Sequence, residues 1–371
     1  MGEEDLMDDS MVLPDYEGAC IANIVPALLE WPVAPAWLPR AAADADQVVL
    51  LVMDGLGWDQ LEQRRSLMPT VAEMDGGPIS SVVPSTTATA LTSIATGMTP
   101  GRHGVVGYRM SVDARVLNVL RWATPDGDAR SAIPPHDIQP EPSFLAQRAP
   151  VVTRADFERS GFSAAHLADC RFTPYRVPST MVTEVARLLR AGEPFIYTYY
   201  EGIDKVAHEY GLGEHYDMEL RFADQLVSEL ISVLPRGATL LVTADHGQLE
   251  TGDNIVDPHP EVLAHTSWQS GEGRFRWFHA RPGREAALQE ACLEHHGSQA
   301  WVRTRDEAIK EGWFGPVVTD AAASRLGDIA LAAKGTVAFN DPADTGPYHL
   351  IGRHGSLTSA EMRVPLLAAG H

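Results

Sequence analysis

Thr243-Ala244-Asp245-His246-Gly247 sets an adjacent carboxylate and imidazole directly after the apolar run 238–242. Such a pair, delivered into a glycine turn at the end of a strand, suits one side of a metal ion. Three other segments offer matching groups. The apolar run 48–53 stops at Asp54-Gly55-Leu56-Gly57, and the run 194–200 continues into Glu201-Gly202-Ile203-Asp204-Lys205-Val206-Ala207-His208. If the chain is helical from Ile203 onward, Asp204 and His208 share a face and can grip a single ion. Gly352-Arg353-His354-Gly355 adds a histidine between glycines. Together Asp54, Asp204 and Asp245 with His208, His246 and His354 form a mixed carboxylate and imidazole set. That set suits Zn²⁺, with Mn²⁺ as second choice, and suffices for two ions.

A catalytic ion needs a group to activate. Pro84-Ser85-Thr86-Thr87-Ala88-Thr89-Ala90-Leu91 opens a run that follows a short predicted strand (79–83) and turns into a helix closing at Thr96-Gly97. A hydroxyl at that helix N-terminus would face unpaired N–H groups and the positive dipole end, a setting that favours a phosphate or an alkoxide. Each motif also has a plain structural reading. Asp54-Gly55 is a turn signal, Asp204 and His208 can form a solvated helix face, the Ser/Thr run can be an N-cap with small packing residues, and His354 can be a loop histidine. What favours a site is the placement of all of them at strand ends.

The elements that must carry these groups alternate. Strands predicted at 48–53, 79–83, 151–152, 195–200 and 238–242 alternate with helices at 180–190 and 216–233, and 162–166 is a further unit. Residues 105–112 and 116–122 read as a hairpin, and the proline-rich 124–142 as a loop. This pattern predicts an α/β fold, a mainly parallel sheet with helices on both faces and a site at the strands' carboxyl ends. The core is assigned to 1–250 and 347–371. Between them, 251–346 reads as a small α+β cap insertion, strand-helix-strand-helix-strand-strand at 274–280, 286–295, 300–303, 305–311, 328–333 and 336–339. Caps of this kind set substrate choice. His259, His265, His279 and Trp277 are candidates to line it, although packing or surface is the commoner role for such residues. Residues 356–367 return a polar turn and a last apolar strand to the sheet.

With 371 residues, 44% hydrophobic and 21% charged, the chain has the composition of an ordinary globular protein. A net charge of −21 opposes nucleic-acid scaffolding and binding to anionic membranes. A small phosphorylated substrate can still be drawn in by the local charge of bound cations. Cys20, Cys170 and Cys292 are too few and too widely spaced for a disulfide framework or a thiolate metal site, and read as reduced buried thiols. The acidic N-terminus lacks a signal-peptide core, Gly2 stands in a poor myristoylation context, and no apolar span of about 18 residues occurs. A cytoplasmic location is therefore expected; oligomeric state is not legible.

Taken in order, the motifs resemble the alkaline phosphatase superfamily, most closely its type I phosphodiesterase/nucleotide pyrophosphatase branch, from about residue 48 to the C-terminus with an insertion at about 251–347. The resemblance implies two metals, usually zinc. Asp54, Thr87, Asp245 and His246 would hold one ion, with Asp204, His208 and His354 around the other. It places the nucleophile three residues after the proline, at Thr87, and it implies attack by a metal-activated Thr87 hydroxyl, a phospho-threonine intermediate, and a second ion that steadies the leaving oxygen and then activates water. Met98-Thr99-Pro100-Gly101-Arg102-His103-Gly104-Val105 resembles the family's Pro-x-x-His-Gly segment, with His103 read as structural. The chain departs where diesterase members continue with Phe-Pro-Asn, since here Ala88-Thr89-Ala90 follows and Ala90 cannot donate to a phosphoryl oxygen. Losing such a donor costs about 3 kcal/mol unless another group takes over, and Thr89, Tyr200 and Arg353 are the candidates. No cysteine lies near Pro84, which argues against sulfate esters. The leading expectation is a hydrolase of phosphodiesters or nucleotide pyrophosphates. A phosphomonoesterase, phosphonate hydrolase or Mn²⁺-dependent phosphomutase is the alternative, and a non-catalytic relative that binds a phosphorylated ligand the third.

Overall fold

The computed structural model describes residues 10–346 and 349–370. The acidic residues 1–9 and the core boundary set at 347 lie outside the described residues.

Three apolar strands, Gln47–Met53, Phe195–Tyr200 and Ala238–Thr243, are buried along essentially their whole length. Strands buried on both faces belong in the middle of a parallel sheet covered by helices. The main sheet has seven strands in the order Asp75–Ser80, Arg363–Gly370, Ala238–Thr243, Gln47–Met53, Phe195–Tyr200, Pro150–Val152, Arg171–Phe172. Gln47–Met53 pairs in parallel with both neighbours, and only Arg363–Gly370 runs opposite to the other six strands. In this register Val52 lies opposite Thr243 and Met53 opposite Tyr200, so the three central strands end level. Asp54, Glu201 and Asp245 consequently leave the sheet along one edge.

The helices Pro178–Arg190 and Glu214–Ser232 fall where periodicity places them, and 162–166 belongs to the helix Gly161–His166. The hairpin is shorter than expected, Arg109–Val112 with Arg115–Asn118, and turns through Asp113 and Ala114, both at positive φ. The strand before the Thr run differs most, occupying Asp75–Ser80 instead of 79–83. It is an edge strand of glycines and a proline, which an edge tolerates but which hides it from a hydrophobic pattern. Within 124–142 the chain forms a two-residue pairing, Ala123–Thr124 with Gly127–Asp128, and a one-turn helix, Pro135–Ile138. The polar turn after 356 contains a short helix, Ser359–Met362.

Within residues 251–346, a four-stranded antiparallel sheet runs in the order Thr266–Gly271, Phe275–Ala280, Ile329–Ala333, Ala300–Thr304. The strand Thr266–Gly271, mostly polar, the helix Asp320–Arg325, alanine-rich, and the six-residue helix Pro260–His265, too short to show a period, were not anticipated. Alternation sends Phe278, Ile329 and Leu331 against Leu288, Ala291 and Cys292 of the helix Glu285–His296. The opposite set, Phe275, Trp277, Ala330 and Ala332, joins Trp313 and Phe314 in the main core. One face thus has its own small core while the other is fastened to the body. Cys20 and Cys292 are buried and Cys170 half-buried, and all three are free. Among the described residues no helix is long and apolar enough to cross a membrane.

Candidate active site

The three strand ends are locked together by backbone. The Asp54 amide donates to Tyr200 O at 2.9 Å and the Asp204 amide to Asp54 O at 3.1 Å, so the helix Gly202–Tyr210 starts against the end of the central strand. Gly55 has φ +76°, and a Cβ there would meet the Cβ of Asp204 at 2.9 Å. Gly247 is equally constrained, since a Cβ would lie 2.0 Å from Ala360 O. Asp245 Oδ1 accepts from the amides of Gly55 (3.2 Å) and His246 (3.1 Å), which fixes its carboxylate.

Thr87 is the first residue of the helix Thr87–Thr96, which Thr86 precedes and the left-handed Gly97 ends. Every residue of this helix is buried. Small side chains allow that, and Thr92 and Thr96 satisfy their hydroxyls on carbonyls of the preceding turn, Ala88 O and Thr92 O, at 2.7 Å each. Thr87 Oγ1 lies 3.1 Å from His246 Nε2.

The three histidines share one design. Nδ1 of His208, His246 and His354 lies 2.7, 2.9 and 2.9 Å from the carbonyl oxygens of Gly352, Gly247 and Ser85. A carbonyl can only accept, so each Nδ1 carries a proton and each ring turns its Nε2 to the cluster. His246 Nε2 is 3.3 Å from both Asp54 Oδ1 and Asp245 Oδ2. His208 Nε2 is 3.2 Å from Asp204 Oδ2, and His354 Nε2 3.7 Å from Asp204 Oδ1. Asp54 Oδ1, Asp204 Oδ1 and Asp245 Oδ2 are enclosed and have no hydrogen-bond partner among the described residues. Orphaned buried carboxylate oxygens are costly unless a cation meets them, and with three basic Nε2 atoms they form a donor set that fits divalent ions. Two triads of ligand atoms lie within 4.8 Å, Asp54 with Asp245 and His246, and Asp204 with His246 and His354. The fold therefore brings all seven sequence candidates together. His246 stands between the two groups rather than in one, and His208 joins through Asp204.

Burial, with Asp245 and Asp204 alongside, pushes the Asp54 carboxyl well above the usual range, while a hydrogen bond from Tyr199 pulls it back. Burial also raises Asp204, but the charge and hydrogen bond of His208 outweigh it and hold that carboxyl low. Burial and the neighbouring His246 keep His354 neutral far below its ordinary range.

The cluster opens into a cavity of about 800 Å³. Sequence reasoning missed several of its residues. Tyr199 Oη donates to Asp54 Oδ2, and Tyr197, two residues earlier on the same face of its strand, has a buried hydroxyl without a partner among the described residues. The signal was present in Tyr197-Thr198-Tyr199-Tyr200, because buried phenols need something to bond. Glu201 pairs with Arg154 at 2.9 Å and accepts from Tyr175 Oη at 3.0 Å. Glu272 arrives from the insertion, accepts from Thr86 Oγ1 at 3.2 Å, and is pushed up to about 8 by burial. No local pattern could have found it, since the contact spans 186 residues. Of the three candidates for the absent asparagine's role, Arg353 lines the cavity, Tyr200 donates to Glu219, and Thr89 is enclosed in its helix. His103 is buried, shares a 2.8 Å hydrogen bond with Ser93 and accepts from the Val105 amide. His259, His265, His279 and Trp277 are not among the residues lining this cavity.

Residues 48–357 match the family described as type I phosphodiesterase / nucleotide pyrophosphatase. Among solved structures, murine ectonucleotide pyrophosphatase / phosphodiesterase 5 superposes with a TM-score of 0.66 at 16% identity, covering 88% of each chain. The human protein of that name gives 0.65 at 17%, covering 87% of this chain and 88% of that one. Phosphonoacetate hydrolase from Sinorhizobium meliloti 1021, in complex with phosphonoformate, gives 0.60 at 20%, covering 88% and 90%. At such identities the likeness is one of fold. No curated protein matches the chain. The family match takes in every segment that contributes to the cluster, and the chain belongs to the type I phosphodiesterase / nucleotide pyrophosphatase family.

Proposed function

We propose that this protein is a two-metal hydrolase of phosphate esters, of the phosphodiester or nucleotide pyrophosphate type, acting through a phospho-threonine on Thr87. Asp54, Thr87, Asp204, His208, Asp245, His246 and His354 would hold two divalent ions, with zinc the first choice and manganese the second. The observation that carries this reading is the clustering of Asp54, Asp204, Asp245, His246 and His354, three of whose carboxylate oxygens have no hydrogen-bond partner among the described residues, around His246, whose Nε2 meets the Thr87 hydroxyl at a helix N-terminus. Divalent ions bound there supply charge neutralisation for the phosphoryl oxygens and acidify a coordinated hydroxyl. Thr87 Oγ1, held where the helix dipole favours negative charge, bonds to phosphorus as the bond to the leaving oxygen breaks. Water then cleaves the phospho-threonine.

Two solved neighbours bear on the substrate, the first on a phosphate ester and the second on the phosphonate of the alternative reading. The murine protein is also known as an inactive threonine-to-alanine variant in complex with AMP, and the Sinorhizobium enzyme in complex with phosphonoacetate. The segment 251–346 would act as a cap on the core formed by 1–250 and 347–371 and choose the substrate, since Glu272, Arg274, Asn340 and Asp344 reach the cavity from it. Arg353 would take over the donor role that Ala90 cannot fill. Unpaired cysteines fit a small phosphorylated substrate in the cytoplasm. Ala90 also favours a second reading, a phosphomonoesterase or phosphonate hydrolase on the same metals.

The test compares hydrolysis of a bis-aryl phosphate with that of the matching mono-aryl phosphate under added Zn²⁺ or Mn²⁺. Faster diester cleavage is expected, and faster monoester cleavage moves the assignment to the second reading. Thr87→Ala should remove turnover by a factor of about 10³ or more, and undiminished activity refutes the nucleophile.

A further inference from the structure

The outer layer of the insertion holds a second group of metal-type side chains. His259 precedes the helix Pro260–His265, Glu261 sits in its first turn, and His295 lies in the last turn of the helix Glu285–His296. Each offers a ligand atom within 4.8 Å of the other two. His295 Nε2 is 3.0 Å from Glu261 Oε2, across 34 residues of sequence. The rings of His259 and His295 stack with centroids 3.5 Å apart and planes 21° apart. The catalytic cluster has the same arrangement, for His246 and His354 stack at 3.5 Å and 10° with carboxylates at their edges. Beside the cap group lies a groove of about 690 Å³ that shares no lining residue with the catalytic cavity. A third histidine steadies the arrangement, since the His259 amide donates to His296 Nε2 at 3.0 Å.

We propose that His259, Glu261 and His295 form a separate divalent-metal site on the cap, taking Zn²⁺ or a similar borderline transition ion. Two imidazoles and one carboxylate disfavour Mg²⁺ and Ca²⁺, which require oxygen ligands. Three protein ligands leave one position, and the groove admits water to it. His259 Nδ1 accepts from the Glu261 amide at 3.3 Å. That bond lies at the long edge of the range, so its loss on loading costs little. An ion here clips the start of one helix to the end of another and holds the cap's outer layer as a unit.

The experiment is a Co²⁺ titration of the metal-stripped full-length chain, followed by visible absorption and by equilibrium dialysis. Wild type should bind one equivalent more than His295→Ala, whatever number the catalytic cluster takes. In Glu261→Gln the same equivalent should weaken by at least about tenfold. Both variants should hydrolyse a bis-aryl phosphate at the wild-type rate, because neither residue touches the catalytic cavity. Equal stoichiometry in wild type and a His295→Ala chain with unchanged circular dichroism overturns the proposal. If His295→Ala does not fold, Glu261→Gln, altered at an exposed side chain, decides by affinity, and binding of that equivalent as tightly as in wild type overturns the proposal.

Discussion

Tyr199→Phe isolates one hydrogen bond at the proposed metal centre. Tyr199 Oη donates to Asp54 Oδ2, while Asp54 Oδ1 is the oxygen left free for the cluster. The ring is 7% exposed, so phenylalanine fills the same space and only the hydroxyl is lost. A hydrogen bond to a charged group contributes about 1.5–3 kcal/mol, which corresponds to roughly 10- to 150-fold in an equilibrium constant. Outer partners of metal ligands typically account for about 10- to 100-fold in metal affinity. The two ranges agree, and the loss should fall on metal binding. Because burial with Asp245 and Asp204 already raises the Asp54 carboxyl and Tyr199 lowers it, the variant should also need a higher pH to load. The assay is diester hydrolysis against free Zn²⁺ in a metal buffer. The half-activating concentration should rise by about 10- to 100-fold, with little change in kcat at saturation. Tyr197→Phe is the control, because that hydroxyl lies two residues away on the same strand face and bonds to nothing among the described residues. Unchanged metal dependence in Tyr199→Phe, or an equal shift in Tyr197→Phe, would refute the reasoning.

Other perturbations follow from the same geometry. Arg353→Ala should lower kcat/KM by about 100-fold, the worth of one oxyanion donor, with metal affinity unchanged; a loss confined to KM rules out a transition-state role. Burial and the nearby Arg325 hold His103 at about 3, against about 6.5 when unfolded. As pH falls below 6.5 the unfolded chain takes up a proton that the folded chain refuses, so stability is full above that pH and is lost down to about 3. Urea midpoints from pH 7 to 4 should fall less steeply in His103→Gln, and an identical slope counts against the assignment. Arg274 and Glu361 form a fully buried pair at 3.0 and 2.7 Å. Arg274→Ala should destabilise the protein by about 3–5 kcal/mol, read by denaturant unfolding, and a loss below about 1 kcal/mol would mean that the carboxylate finds other partners.

The core of the fold was legible because its signals are local. A strand such as 48–53, apolar at every position, has one physical solution, burial on both faces, and its terminal Asp54 then stands at a sheet edge. Asp204 and His208 were placeable from helical spacing alone. Elements that escaped were those whose stability comes from elsewhere. Asp75–Ser80 carries two glycines and a proline and forms a strand because Arg363–Gly370 supplies its hydrogen bonds. Thr266–Gly271 has one large apolar side chain, Trp268, and exists as the edge partner of Phe275–Ala280. At the site, the pairs close in sequence could be foreseen, Asp204 with His208 and Asp245 with His246, whereas the bond from Tyr199 to Asp54 between neighbouring strand ends was not. Glu272 could not, because its place beside Thr86 depends on how the insertion folds back.

How that insertion is rooted explains why it can interrupt the site without disturbing it. Three residues after His246 the chain enters a short ribbon, Leu249–Glu250 paired with Gly352–Arg353, and His354 follows directly. Leu249 lies opposite Arg353, which closes the roughly hundred-residue excursion and sets the His354 ring on that of His246. Closure entropy grows only with the logarithm of loop length, so the length of the excursion matters little and the register of the ribbon matters a great deal. A slip of one residue would carry His354 about 3.3 Å along the strand and turn it to the other face. Two further contacts hold the register. The His208 ring donates to Gly352 O while the Ile351 amide donates to His208 O, which ties the Asp204 helix to the ribbon. Glu361 accepts from the Ser356 amide as well as from Arg274, which ties the loop after His354 to the root of the cap sheet. The excursion and the strand ends that carry the cluster therefore share their anchors. Changes at the root of the excursion must therefore be felt at His354.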